Sequence, residues 1–183
     1  ARDWHLGELE PGGPGAGALA AEVAALQSSA ARNLAAAWIA QAARDSAAVP
    51  RSYLEPALAR GEDDPLRIAG DLGVDAPAVF RRIATLPGRP EGLVLCDASG
   101  TITFRKPIAA FAPPRFGAAC ALWPLYAALA RPMLPVEALA EMDGGGNPHL
   151  RLRAYGQTRH VSWFPWLELR KAALPASPDS RRP

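Results

Sequence analysis

Cysteine is scarce: Cys96 and Cys120 are the only two in 183 residues. Two thiols cannot build the disulfide framework of a small secreted protein, and they fit a reducing, cytoplasmic compartment better. Histidine is nearly as rare, with His5, His149 and His160 alone. None belongs to an HExxH spacing and there is no CxxC, so no metal-ligand set is expected. No apolar run approaches the ~20 residues needed to cross a bilayer. The opening stretch ARDWHLGELEPGGPG lacks the basic and apolar regions of a signal peptide, so no membrane partner is expected. It also lacks an initiator Met, as a piece of a longer protein would.

Excess charge is missing too. The formal net charge is only +2, but it is unevenly spread. Residues 1–90 hold 9 basic and 11 acidic side chains, and residues 91–183 hold 11 and 7. An anionic partner would therefore meet the second half, although a solvated surface would look the same.

What the chain does have is alanine, apolar spacing and turn signals. Residues 1–18 read as a flexible linker, with EPGGPGAGA (residues 10–18) rich in Gly and Pro. Next comes an alanine-rich stretch of strong helix propensity. Leu19, Val23, Leu26, Ala30, Leu34, Trp38 and Ile39 can share one helical face there, until Pro50 ends it. In DDPLRIAGDLGVDAPAVFRRIATLPG, Asp64 is placed to cap a helix with Pro65 in its first turn. Gly73 closes that helix, and Asp75 caps a second one with Val79, Ile83 and Leu86 as its spine. Ala69, Gly73 and Val79 have the spacing of a helix-turn-helix. The helical region is expected over 19–89.

After residue 90 the period shortens. EGLVLCDASGTITFRKP reads as strand, turn and strand, with DASG in the turn. A helix is expected from about Leu122 to Ala130, and Pro124 is tolerable in its first turn. HLRLRAYGQ and RHVSWFPWLELRKAAL alternate as strands do, with Leu150, Leu152 and Ala154 on one face. The fold class is α+β: a helical half, then an antiparallel-sheet domain over 90–175. Residues 176–183 read as a disordered tail.

Candidate chemistry is thin. Cys120 lies near a helix start, where a thiolate would be stabilised, but no histidine motif accompanies it. A buried core residue is the plainer reading, and no catalytic residue is expected. The second helix of the helix-turn-helix could expose Ala78, Arg81, Arg82 and Thr85 to DNA. Residues 60–89 are charge-neutral, with five basic and five acidic side chains, so DNA binding by this segment should be weak. A scaffold role stays open beside it. Arg105, Lys106 and Arg115, with Phe116 and Trp123 among the neighbouring aromatics, could rim an apolar pocket for an amphiphilic anion. The same residues would equally serve as core and surface.

GLVLCDASGTITFRKP followed by FAPPRFGAACALWPLY resembles the C-terminal domain of the short-chain fatty acyl transcriptional regulators. The most specific part is Gly117-Ala-Ala-Cys120-Ala-Leu122-Trp123. The segment DPLRIAGDLGVDAPAVFRRIATLPG is similar to the part of ImmA/IrrE-like proteins that leads from a metallopeptidase-like domain into a GAF-like one. The resemblance covers about residues 28–175. It implies a GAF-like, non-enzymatic sensing domain of a bacterial Xre-type regulator, with a short-chain acyl-coenzyme A as small-molecule effector. Cys120 and Trp123 carry over by direct match, whereas Arg105, Lys106 and Arg115 are chosen on electrostatic grounds. Three features depart from the family pattern: there is no Xre-type DNA-binding domain, no cysteine-rich tail and no HExxH. DNA contact is then expected through a domain outside this chain, and no cofactor is expected. A cytoplasmic homodimer is the expected form. The competing reading is an ImmA/IrrE-like protein acting by protein contacts, or a relic of a peptidase.

Overall fold

The computed structural model describes residues 4–97, 99–108, 123–140, 150–159 and 162–171. The chain divides into two compact units, Ala1–Arg89 and Pro90–Pro183.

In the first unit the alanine-rich stretch is not one helix. A 3-10 turn at Ala16–Leu19 runs into the short helix α1 (Ala20–Ala24), and α2 (Ser29–Ala48) starts afresh. The break has a local cause. Ser28 is extended, and its hydroxyl accepts the Ala31 N–H at 3.0 Å. Arg32 reaches back to donate to the Leu26 and Gln27 carbonyls, which have lost their helical donors. The expected single face is therefore corrected: Leu34 is 73% exposed on α2, while Leu19 is buried. Pro50 not only ends α2 but stands as N-cap of α3 (Arg51–Ala59). The Gly/Pro stretch expected as a linker is folded as well. Gly15 donates to the Glu8 carbonyl, Gly13 to that of Glu10, and Leu9 is buried.

The next two helices follow their sequence signals. In α4 (Pro65–Leu72) the Asp64 carboxylate accepts the Leu66 N–H, and Gly73 takes the left-handed C-cap at φ 64°. A residue with a Cβ would be strained there. Helix α5 (Ala76–Thr85) follows Asp75, whose side chain makes no capping bond. Val79 and Ile83 are fully buried and Leu86 nearly so. Each such side chain contributes roughly 1.5–3 kcal/mol through burial.

In the second unit, five strands among the described residues form one antiparallel sheet in the order β2-β1-β5-β4-β3. These are β1 (Gly92–Cys96), β2 (Ile102–Lys106), β3 (Pro135–Ala140), β4 (Leu150–Arg159) and β5 (Ser162–Lys171). The β1–β2 turn is closed by Asp97, which accepts from the Ser99 and Thr101 N–H groups. These bonds, led by the one from the Ser99 hydroxyl, hold the Asp97 carboxyl below its usual range. Helix α6 (Leu125–Ala130) lies against β4 and β5. It starts three residues later than expected, because Pro124 is its N-cap rather than part of its first turn. Leu125 and Ala128 of α6 meet Val94, Cys96, Leu152 and Ala154 in one apolar cluster. Gly156 continues that β4 face. A Cβ on it would overlap the Ala128 carbonyl oxygen, so only glycine lets the helix come this close.

Candidate functional site

The sheet alternates its faces, and this decides where the expected cations go. Arg105 pairs with Val94 in the β1–β2 ladder and Lys106 with Leu93. Neighbours on a strand point to opposite faces, so the two cations cannot line one pocket mouth. Arg105 is half-buried and shares the face of Val94, which belongs to the α6 cluster. Lys106 is buried on the other face, and its ammonium donates to the Glu91 carbonyl at 2.9 Å. Arg105 therefore stays in the candidate set and Lys106 becomes a strut of the sheet.

Trp123 packs, half-buried, against the same apolar cluster as Tyr126 and Ile102. The structure thus brings Trp123 to the α6 face, on which Arg105 also lies. Tyr126 lies close over Gly100 at the end of the β1–β2 turn, where a Cβ would overlap the ring. Arg115, Phe116 and Cys120 lie outside the described residues, as does most of the 107–123 loop and helix start, which the sequence reading expects to close the site.

Cys96, inside the cluster, is fully buried. Desolvation, with a smaller push from the Asp97 charge, raises its thiol to about 12. It stays protonated at neutral pH and has no nucleophilic character there.

The exposed arginine face expected on α5 is corrected. Arg82 is only 4% exposed; it donates to the Val49 carbonyl at 3.0 Å and grips both Glu10 oxygens at 2.8 and 3.0 Å. Arg81 makes a two-pronged pair with Asp45 of α2, one prong at 2.7 Å, and Gln41 adds a third bond to that carboxylate. Ala78 is buried as well, and Thr85 donates its hydroxyl to the Arg81 carbonyl. Both guanidinium groups are spent on holding α5 to α2 and to the N-terminal segment. The sequence hid this because Glu10 and Asp45 are distant from their partners along the chain, and no spacing rule links them. Nothing in the spacing announced Trp4 either, although it lines a groove of the same unit together with Trp38.

Among the described residues, no group of three or more His, Cys, Asp or Glu is placed to hold a metal ion. No helix there is long and apolar enough to cross a membrane.

No family model matches the chain. It is 31% identical over 129 residues to the propionyl-CoA carboxylase regulator of Cereibacter sphaeroides, a match that takes in 68% of this chain. The chain spans little more than a quarter of that protein, 28% of its length. Among solved structures, a Mycobacterium tuberculosis transcriptional regulator superposes with a TM-score of 0.67 at 22% identity. That match covers 84% of this chain and 50% of the other, and it shows that the two share the α+β fold. The stretch aligned with the carboxylase regulator is longer than either unit alone, so the likeness takes in residues of both. The chain is a distant relative of a transcriptional regulator.

Proposed function

We propose that this chain is the effector-sensing part of a bacterial transcription regulator, that it is not an enzyme, and that its effector is a short-chain acyl-coenzyme A. The likeness to a propionyl-CoA carboxylase regulator carries the reading, since the aligned stretch takes in residues of both units. The chemistry of the sheet unit agrees with it. Arg105 offers a planar cation suited to phosphate, on the face where Trp123 and the α6 cluster offer apolar surface. Arg115, Phe116 and Cys120 are further candidate contacts on the ground of the sequence resemblance and charge alone. Ligand binding favours one arrangement of the sensing unit and thereby biases DNA contact, which is a shift of population. The DNA contact itself belongs elsewhere than α5, whose arginines are committed to Asp45, Glu10 and Val49.

Thermal unfolding with acetyl-, propionyl- and butyryl-coenzyme A tests this. At ~100 times the dissociation constant, binding adds about 2.7 kcal/mol of stability and raises the melting temperature. Arg105→Ala should reduce the shift, and Lys106→Ala should not reduce it beyond its own structural cost. No shift with any of the three at millimolar concentration rules out this ligand class. Electrophoretic mobility should show only weak, non-selective DNA binding by residues 1–183, and tight, selective binding would return α5 to the DNA interface.

A further inference from the structure

The turn between α6 and β3 holds a backbone outlier that the regulator reading leaves without a role. Among the described residues, Met133 is the one non-glycine residue with a positive φ, 65°. A residue with a Cβ is strained in this left-handed region, and it stays there only where its surroundings hold it. Two bonds to β4 do so. The Met133 N–H donates to the Gly156 carbonyl at 2.7 Å, and the Tyr155 hydroxyl donates to the Met133 sulfur at 3.4 Å. Gly156 is also the notch that lets Ala128 of α6 come close. Met133 therefore clips the end of α6 to the strand that seats the helix. The clip faces both ways: Met133 is 56% exposed, whereas Tyr155 is 5%.

We propose that Met133 is a modification site, oxidised by hydrogen peroxide to one epimer of its sulfoxide, and that this change releases the clip on α6. A thioether sulfur has two lone pairs and is a weak acceptor. Tyr155 engages one of them. The other attacks the peroxide, so an S–O bond forms as the O–O bond breaks. The proton on the transferred oxygen passes to the departing oxygen, which leaves as water. Sulfur gives up two electrons and the peroxide takes them. Attack from one lone pair sets one hand at the new sulfur centre, and the added oxygen points away from Tyr155. The oxidised sulfur carries positive charge, so its remaining lone pair is a poorer acceptor and the Tyr155 hydroxyl loses this bond. With one of its two ties gone, the strained turn relaxes and α6 is held less firmly. A sulfoxide reductase specific for that epimer would restore the thioether. None of this depends on the ligand proposed for the sheet unit.

The test uses the full chain carrying Met142→Leu and Cys120→Ser, which leaves Met133 as its one methionine. Peroxide should oxidise Met133 in the native protein within about threefold of the rate in the denatured chain. The two reductase classes, each applied separately to the unfolded product and read by mass, count the epimers. One should exceed the other by at least about fourfold after native oxidation, with near equality after oxidation of the denatured chain. Tyr155→Phe, which keeps the ring, should bring the native ratio toward unity. Oxidation should lower the melting temperature, the matching reductase should restore it, and Met133→Leu should make it indifferent to peroxide. Equal epimers from the native protein, or an undiminished preference in Tyr155→Phe, would overturn the role given to the Tyr155 bond. Native oxidation more than about tenfold slower than in the denatured chain would overturn the site. An unchanged melting temperature after complete oxidation would overturn the clip.

Discussion

The two units solve the same problem with different materials. In residues 4–89 the helices are rich in alanine, which contributes little buried area, and guanidinium–carboxylate pairs join distant segments: Arg81 to Asp45 and Arg82 to Glu10. In the sheet unit, α6 is seated by leucine, alanine and valine on a glycine-notched strand, and the cluster that holds it is apolar. Alanine faces pack in many registers, whereas a two-pronged ion pair fits one. Buried pairs add little net stability over an apolar equivalent, but breaking one is costly. The helical unit should therefore be sensitive to single polar substitutions, and the sheet unit to changes of shape.

The largest expected effect is at Asp45. Asp45→Ala strands Arg81, and by general experience with buried pairs it should cost about 3–5 kcal/mol in urea unfolding followed by helical signal. Replacing both partners, Asp45→Leu with Arg81→Met, should recover most of the loss. A single-variant cost below about 1 kcal/mol would remove the distinction between the units. Next comes Gly156→Ala, which forces α6 away from β4 and should cost about 2 kcal/mol, read from thermal unfolding. Smaller in energy but sharp in readout is Cys96. In a Cys120→Ser background its thiol should resist a disulfide reagent at pH 8 until denaturant is added. The sign follows from its raised pKa. The native state keeps the proton that the unfolded chain releases near 9.0, so stability from this group is full below pH 9 and falls as pH rises toward 12. The smallest effect is expected at Arg153, whose partner Glu137 is 57% exposed at 2.7 Å. Arg153→Ala should cost less than about 1 kcal/mol in the same thermal assay.

Legibility followed the range of the cause. Asp64, Gly73 and the DASG turn act within a few residues, and the sequence announced each of them at its place. The α1–α2 break was also local, yet alanine propensity masked the Ser28 cap that starts α2. The burial of Arg82 depends on Glu10, far along the chain, so α5 read as an exposed basic face. At the candidate ligand site, period-two alternation was already enough to separate Arg105 from Lys106 once both were placed on one strand. Treating them as a charge pair ignored that geometry. Trp123 was legible as a core or pocket-wall residue because its motif and its aromatic character point the same way.

The strand order has a consequence for how the sheet is made. Strands β1 and β2 meet across the short Asp97 turn, and β3, β4 and β5 pair in succession. The β1–β5 seam, with Val94 opposite Leu167, is the ladder that joins these halves. During synthesis the hairpin can close as soon as Lys106 emerges, but its free β1 edge waits for roughly 60 further residues, several seconds at ribosomal rates. Closing that long loop adds an entropic cost that the local turns do not face. The seam should therefore be the late step of folding. Substitutions at Asp97 should slow refolding, while substitutions at Val94 that weaken the seam should mainly speed unfolding.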